Sequence, residues 1–568
     1  MKQNIHNHDK NQVAFVRPAA LVAFIRPAFL LPLLLVVTFS ACKKSFLNEN
    51  LTSNYAPQNT LADSLGFEAN IAGILNKVRS LYTSDNDQGL LGAMYNGTDM
   101  VINGQTTSAM FPYVNNETMN STDFSANYYW TSAYQSMTNV NLVIAASQDP
   151  AVTGTSAANK AYVGAEAKFY RAYLYNFLAT LWGPVPLVLD PIKGVKVDFV
   201  RTSVDSVNAQ IVKDLTEATG VLPTAGAVRK EGRPSSGMCQ QLLAEVYLRM
   251  NKPDLAEAAC HAVISSGAYS LITSRYGVKT SQPGDYYSDM FLVGNQRRSQ
   301  GNKEAIWIIE EDVNTPGGAT TTGVNPSEDQ HRRMWVPYYA GITNMVICDS
   351  LGGRGIGRFR LSNWILYNLY DQYDMRNSQY SIRRILRFND PTKPKYGQQL
   401  TAVDGDTVWH IAPYTTKWNN FNPADVNGYS TFKDQPMMRL GETYLLMAEA
   451  QFRQGHLPDA AASINVLRQR AYPDYPAHGQ VQASDITLDF ILDERARELV
   501  AEENRRMTLV RTGTLVERVQ NYLNAYNTGA GQPVTGLSNV TTRKGLLPVP
   551  QTAIDLNKGA VLTQNTGY

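Results

Sequence analysis

The thiol of Cys42 stands at the end of the most apolar stretch of the chain. Ala28 to Phe39 (AFLLPLLLVVTF) carries no charge, follows Arg17 and Arg26, and is separated from Cys42, Lys43 and Lys44 only by the small Ser40 and Ala41. A run of that length is too short to cross a bilayer as a helix and suits the apolar centre of an export signal. Small residues let a backbone enter a signal peptidase, and a cysteine at that point can take a diacylglycerol on its sulfur and become the first residue. Residues 1–41 therefore read as a lipoprotein-type signal peptide, Cys42 as the lipid-attachment site, and residues 42–60 as a polar tether. The competing reading of Cys42 is an ordinary buried thiol beside a cleaved signal. Acyl chains contribute about 0.8 kcal/mol per buried methylene, so two or three hold a soluble body on a membrane with no spanning helix.

A second kind of chemistry is recognition. A sugar offers apolar C–H faces rimmed by hydroxyls, so its site needs flat aromatic rings beside amide, carboxylate or guanidinium groups. One stretch with that mixture holds Tyr95, Asn96, Asp99, Phe111 and Tyr113, followed by Asn115 and Asn116. Another holds Arg332, Trp335, Tyr338, Tyr339 and Trp364, with Asn344 and Arg358 between them. Each of these aromatics reads equally well as core or partner-contact packing. Trp130, Trp182 and Trp307 fall inside periodic segments and are assigned to the core.

Catalytic constellations are not apparent. The sequence has no HExxH, GxSxG, P-loop or CxxC. GGRGIG at 352–357 matches a phosphate loop in glycine content only, lacking the strand, spacing and lysine. Glu442 with Glu449, and Glu494 with Glu498, have the makings of a glycosidase acid pair, but salt bridging along charged helix faces explains them. Asp371, Asp374 and Arg376 read as a loop clamp in preference to a cation site. No catalytic residue, metal or cofactor is expected.

Composition narrows the class. The chain has 51 basic and 49 acidic residues, and removal of residues 1–41 leaves 47 against 48. A near-neutral body creates no field to draw in nucleic acid, so no nucleic-acid partner is expected. With 43% hydrophobic and 18% charged residues the chain is globular. Beyond Cys42 only Cys239, Cys260 and Cys348 remain, so no disulfide framework is legible; Cys239 and Cys260 either meet across a helix pair or stay as free thiols.

The elements that must position these groups are mostly helical. GAEAKFYRAYLYNFLATLW from Gly164 puts Ala167, Tyr170, Leu174, Phe177, Leu178 and Leu181 on one stripe and stops at Gly183 and Pro184. RPSSGMCQQLLAEVYLRM, capped by Ser235 or Ser236, and NKPDLAEAACHAVISSG form an antiparallel hairpin. YLLMAEAQFRQGHLPDAAASINVLRQRA repeats that hairpin 204 residues later, aligning Ala244 with Ala448, Glu245 with Glu449, Asn251 with Gly455, Ala256 with Ala460 and Ala258 with Ala462. Small residues at those places allow two helices to approach closely, as tetratricopeptide-like hairpins require. ILDERARELVAEENRRMTLVRTG reads as one helix with a charge-laced surface and Ile491, Leu492, Leu499 and Leu509 inward. Between about 270 and 435 the periodicity fades into Gly, Pro, Asn and aromatic residues with short β-rich runs such as AIWIIE, so a helical frame (about 61–269 and 436–568) carries a loop-rich, partly β insertion.

These segments occur in a specific order. Cys42 with KKSFLNE is followed by Trp130, Tyr134 and Asn141 in W-x3-Y-x6-N, then by GAEAKFYRAYLYNFLATLWGPVPL and RTSVD at 201–205. After the GRPSSGMCQQLLAEVYLRM hairpin come RLGETYLLMAEA, ILDERARELVAEENRR and the ending LLPVPQTAIDLNKGAVLTQNTGY. In that order they resemble the SusD-like, or RagB/SusD, outer-membrane lipoproteins of the Bacteroidetes. The resemblance implies a mainly α, single SusD-like domain over 61–568, lipid-anchored on the outer membrane and facing outward. It further implies a non-enzymatic protein that binds an oligosaccharide and delivers it to a SusC-like TonB-dependent transporter. A peptide-binding member of such an assembly, or a structural lid with little affinity of its own, are the alternatives.

Overall fold

Helix boundaries follow local capping chemistry. The computed structural model describes residues 60–82, 88–312, 329–420, 431, 433–527 and 538–568, all within the unit Pro57–Tyr568. The signal segment, Cys42 and the tether up to residue 59 lie outside the described residues. Asp63 accepts a hydrogen bond from Gly66 N to open α1 (Ser64–Arg79), and a short α2 follows (Gly89–Tyr95). Asp123 caps α3 (Phe124–Gln148), Ser156 caps α4 (Ala157–Trp182) and Ser203 caps α5 (Val204–Thr219). Then come α6 (Ser236–Arg249, capped by Ser235) and α7 (Pro253–Ser265). The second hairpin is α8 (Leu440–Arg453) and α9 (Leu457–Ala471), followed by α10 (Leu488–Leu499) and α11 (Arg505–Thr512). The expected mainly α architecture of paired helices with a loop-rich insertion is what the structure shows.

The α4 helix is buried all round, where a single stripe was expected. From Tyr162 to Trp182 only Lys168 escapes full burial, because α1, α3, α5 and α11 pack around it. Trp182 donates from its indole to Pro548 O at 2.7 Å, and Trp130 meets its ring edge-on at 5.7 Å. The last carbonyls of α4 need external donors, and the C-terminal segment supplies them. Leu547 N donates to Leu181 O at 2.8 Å and Asn565 Nδ2 donates to Trp182 O at 3.0 Å. That is the physical reason for the sequence ending around PVPQ and QNTGY.

The repeated hairpin is real and its turns are equivalent. Asn251 and Gly455 both adopt a left-handed backbone, with φ of +54° and +79°. Ala244, Ala448, Ala256 and Ala460 are fully buried, and α7 packs on α8, so the two hairpins stack. Ala258 and Ala462 face outward, one residue off the packed stripe, and contribute nothing to the close approach. Cys239 and Cys260 are free thiols, and burial pushes Cys239 up to about 12.

The insertion is tied down by three two-stranded antiparallel sheets. β1 (Val101–Asn103) pairs with β3 (Phe359–Leu361), β2 (Ala305–Ile309) with β6 (Gln435–Arg439), and β4 (Ile382–Arg383) with β5 (Tyr414–Thr415). The first two join insertion strands to the edges of the helical frame.

The charged helix expected over 491–513 departs most from the sequence reading. It is two helices, broken after Leu499 with Ala501 at φ +61°, and its charges are buried. The Glu498 carboxylate accepts from Arg376 Nη1 at 3.0 Å, from Arg439 Nη1 at 2.7 Å and from Arg470. Arg439 also reaches Glu304 at 2.8 Å and Glu502 at 2.7 Å, while Arg376 reaches Glu494 at 2.9 Å and Asp374 at 2.8 Å. Burial alone would push the Glu498 carboxyl up; Arg470, Arg439 and Arg376 outweigh it and hold the group well below the ordinary range. Glu449 is held at about 2 in the same way, against burial, by Arg511 and Arg453.

Two outcomes follow from this network. Glu498→Gln leaves three guanidinium groups short of a buried counter-charge and should cost about 3–5 kcal/mol in urea unfolding of the soluble body; a loss below about 1 kcal/mol would contradict the network's role. In acid, the unfolded carboxylates take up protons near their ordinary pKa while folded Glu449 and Glu498 resist. Their contribution is therefore complete above about pH 5 and is lost progressively between about pH 5 and pH 2. A urea midpoint that stays flat from pH 5 to pH 3 would show that these pairs do not carry stability.

Candidate ligand-binding site

The insertion has its own apolar cluster, separate from the main core, which includes Val336, Tyr339, Leu351, Leu386, Phe388 and Tyr414. The glycine-rich segment 352–357 wraps against it. A Cβ on Gly355 would lie 2.2 Å from the carbonyl oxygens of Val336 and Pro337, and Gly357 (φ +59°) would place one 2.7 Å from Trp409 O. Glycine is needed here for close approach of backbones. Its consequence is the placement of Tyr338 and Trp409.

Tyr338 N donates to Trp409 O at 3.0 Å, and the two rings stack with centroids 5.1 Å apart and planes at 23°. His410 tilts against Trp409 at 4.3 Å and against Tyr338 at 5.7 Å. The Trp409 indole N–H donates to Ile356 O at 2.8 Å, which fixes the ring's rotation. Asp406 accepts from the backbone N–H of Val408 and Trp409 at 3.0 and 2.7 Å and pairs with His410 Nδ1 at 2.5 Å. Burial raises the Asp406 carboxyl, but the His410 contact and the two amides prevail and keep it below the usual range. Gly104 N donates to the carbonyl of Arg358, next to Gly357 in the chain, at 2.9 Å, and the Arg358 side chain is committed to Gln88 at 2.7 Å and to Gln105. All three residues are half-buried, so a fixed aromatic shelf beside the Asp406 carboxylate keeps part of its surface in solvent.

The residues singled out from the sequence divide sharply. Tyr338 belongs to the shelf, and Phe111 is 46% exposed elsewhere on the surface. Tyr95, Tyr113, Trp335, Tyr339 and Trp364 are corrected to structural residues, because their rings are covered by the protein itself. Tyr95 meets Trp335 and Phe359 at 5.2 and 5.5 Å and donates to Ala501 O, Tyr113 donates to Asp123, and Tyr339 donates to Gly353 O. Trp364 packs edge-on to Tyr522 at 5.1 Å. Asp99 is likewise committed: it pairs with Arg505 and Arg518 at 2.7 and 2.8 Å and, despite burial, is held at about 2 by them. Asn96 is buried, its main-chain carbonyl accepting from Arg506 and its side-chain Nδ2 donating to Asn103, and Arg332 is buried and donates to Arg354 O at 2.7 Å. The two stretches do converge, through the β1–β3 ladder, but they converge as core. Asp371 accepts from Tyr472 OH at 2.8 Å and from the N–H groups of Tyr373 and Asp374, which is the clamp expected of it.

Sequence reasoning missed Trp409, His410 and Asp406. The signal was present in DGDTVWHIAP, where a Trp-His pair follows an Asp three residues earlier in an otherwise polar run. Among the described residues no group of three or more His, Cys, Asp or Glu side chains is arranged to hold a metal ion, and no helix is long and apolar enough to cross a membrane.

Comparison with known proteins places this architecture. Residues 360–568 match the family described as "SusD family", and residues 46–248 match one described as "Starch-binding associating with outer membrane". The "Starch-binding protein SusD" of Bacteroides thetaiotaomicron is 35% identical over 443 residues, covering 71% of this chain and 72% of that protein. A solved SusD homolog from B. thetaiotaomicron superposes with a TM-score of 0.70 at 18% identity, covering 91% of this chain and all of the other. The surface glycan-binding protein A of the same organism, solved with laminarihexaose, gives a TM-score of 0.64 at 21% identity over 88% of this chain and 99% of its own. Sequence identity above a third with one relative, matches to family descriptions in both halves and a shared fold over nine-tenths of the length lead to one conclusion: the chain belongs to the SusD family.

Proposed function

We propose that this protein is a non-enzymatic receptor that captures an oligosaccharide on the Tyr338–Trp409–His410 shelf and passes it to a SusC-like TonB-dependent transporter. Lipid on Cys42 would hold it at the outer membrane with the shelf facing outward. The observation that carries the reading is the half-buried, rotationally fixed stack beside Asp406, which has the aromatic surface and adjacent polar group a sugar requires. Relatives named for starch binding and solved with laminarihexaose support saccharide as the ligand class. Binding without turnover is favoured because the carboxylates spaced like an acid pair are already committed: Glu442 to Arg495, Glu449 to Arg453 and Arg511, and Glu494 and Glu498 to the buried arginines.

The test is calorimetric titration of the soluble body with a polysaccharide panel and, in parallel, a peptide digest. Wild type is expected to bind a glycan. Trp409→Ala should weaken that binding by about 2 kcal/mol, roughly thirtyfold, from lost apolar contact. Unchanged affinity in the variant would remove the shelf from the site. Binding of peptides alone, or co-purification with a barrel while both panels fail, would replace the saccharide reading with the peptide or lid reading.

A further inference from the structure

A second feature of the insertion is a cleft lined by arginines and by no acidic side chain. The cleft, of about 740 Å³, lies beside the apolar cluster that carries the shelf, and Arg383, Arg384 and Arg387 line it together with Asn377, Gln379 and Tyr396. Among the described residues none of the three arginines forms an ion pair. Arg384 donates only to the carbonyls of Leu366 and Asn377, Arg387 to Gly397 O, and the Arg383 side chain makes no hydrogen bond. By contrast, buried Arg376, Arg439, Arg470, Arg495, Arg505 and Arg518 each reach a carboxylate, while buried Arg506 meets only main-chain carbonyls. The acidic side chains nearest in sequence are engaged elsewhere, Asp374 with Arg376, Asp371 with Tyr472 and Asp390 with Thr392, and Asp349, between lining residues Cys348 and Ser350, lies 3.8 Å from Lys279.

The placement follows from strand geometry. Leu386 and Phe388 are buried in the cluster and Ile382 in the main core, while Ile385 and Arg387 are exposed and Arg383 is half-buried, so alternation puts Arg383 and Arg387 on one face. Four residues of extended chain separate them by about 13 Å. With their backbones that far apart on one face, the two guanidinium groups can meet successive negative groups along an oligomer. The remaining lining suits hydroxyls and a ring face: Asn377 Oδ1 is buried without a hydrogen-bond donor, Gln379 is exposed, and Tyr396 is 59% exposed. Guanidinium groups pair with carboxylate or sulfate through two parallel N–H···O bonds, and unpaired ones need no partner removed first.

We infer that this cleft is a subsite for acidic saccharide units, carboxylated or sulfated, so that the captured glycan is anionic. The inference rests on the saccharide reading above and narrows its ligand class. It is tested by titrating the soluble body with oligogalacturonate, with a sulfated galactan oligosaccharide and with neutral laminarihexaose, at low and high salt. At least one acidic probe should bind more tightly than laminarihexaose. Its affinity should fall as the screening length shrinks from about 10 Å at 0.1 M to about 3 Å at 1 M salt. Arg383→Ala/Arg387→Ala should weaken the acidic probe by about tenfold or more and leave laminarihexaose unchanged. Arg387→Glu, at an exposed position, should weaken the acidic probe further. Whichever acidic probe responds identifies the anionic group. Acidic probes that bind no better than laminarihexaose, or bind both variants as tightly as wild type, overturn the subsite. If laminarihexaose still binds and Trp409→Ala abolishes it, the general saccharide reading survives that failure. If acidic binding depends on the arginines but not on Trp409, the subsite stands and the shelf falls.

Discussion

The carboxylate of Glu498 cannot be left alone in the interior of this protein, and much of the architecture meets that requirement. Isolated charge in a low-dielectric core costs several kcal/mol, so three guanidinium groups have to reach one side chain. They come from different parts of the chain: Arg376 from the insertion, Arg439 from the end of β6 and Arg470 from α9. Glu304, just before β2, and Lys417 beside β5 are drawn into the same network through Arg439, Arg470 and Glu502. The network therefore fixes where the loop-rich region sits on the helices, and a hydrophobic contact of equal area would not impose that registry.

Position passes from this network to the surface in short steps. β6 holds β2, β3 holds β1, and β5 holds β4, each pair having two to five residues per strand. Pairs this short are not stable alone. They persist because each has one strand anchored to buried neighbours, with Trp307 packed on Phe169 and Tyr173, and Phe359 on Tyr95 and Trp335. The shelf and the arginine cleft then rest on one satellite cluster, so both are presented by the same rigid support.

The helical frame was legible because its signals are local. Ser235, Pro253, Asn251 and Gly455 mark caps and turns whose chemistry does not depend on distant residues. Burial depth was not legible. Glu494 with Arg497, and Glu502 with Arg505 and Arg506, carry the i, i+3 and i, i+4 charge spacing of a solvent-facing helix, and only the partners of Glu494 at 376 and 468 and of Arg505 at 99 reveal an interior one. The same gap affects aromatic residues. Tyr95, Trp335 and Trp364 are indistinguishable by type from Tyr338 and Trp409, and what separates them is long-range pairing, through β1–β3 and the glycine contacts at 355 and 357, that sequence spacing does not encode.

The closure of α4 by residues 547–565 is a contact of very long range. Trp182 and its acceptor Pro548 are 366 residues apart, so the last carbonyls and the indole of α4 find these partners only across a very long loop. Closing such a loop costs more entropy than closing a hairpin, which sets this seal apart from the locally encoded turns at Asn251 and Gly455.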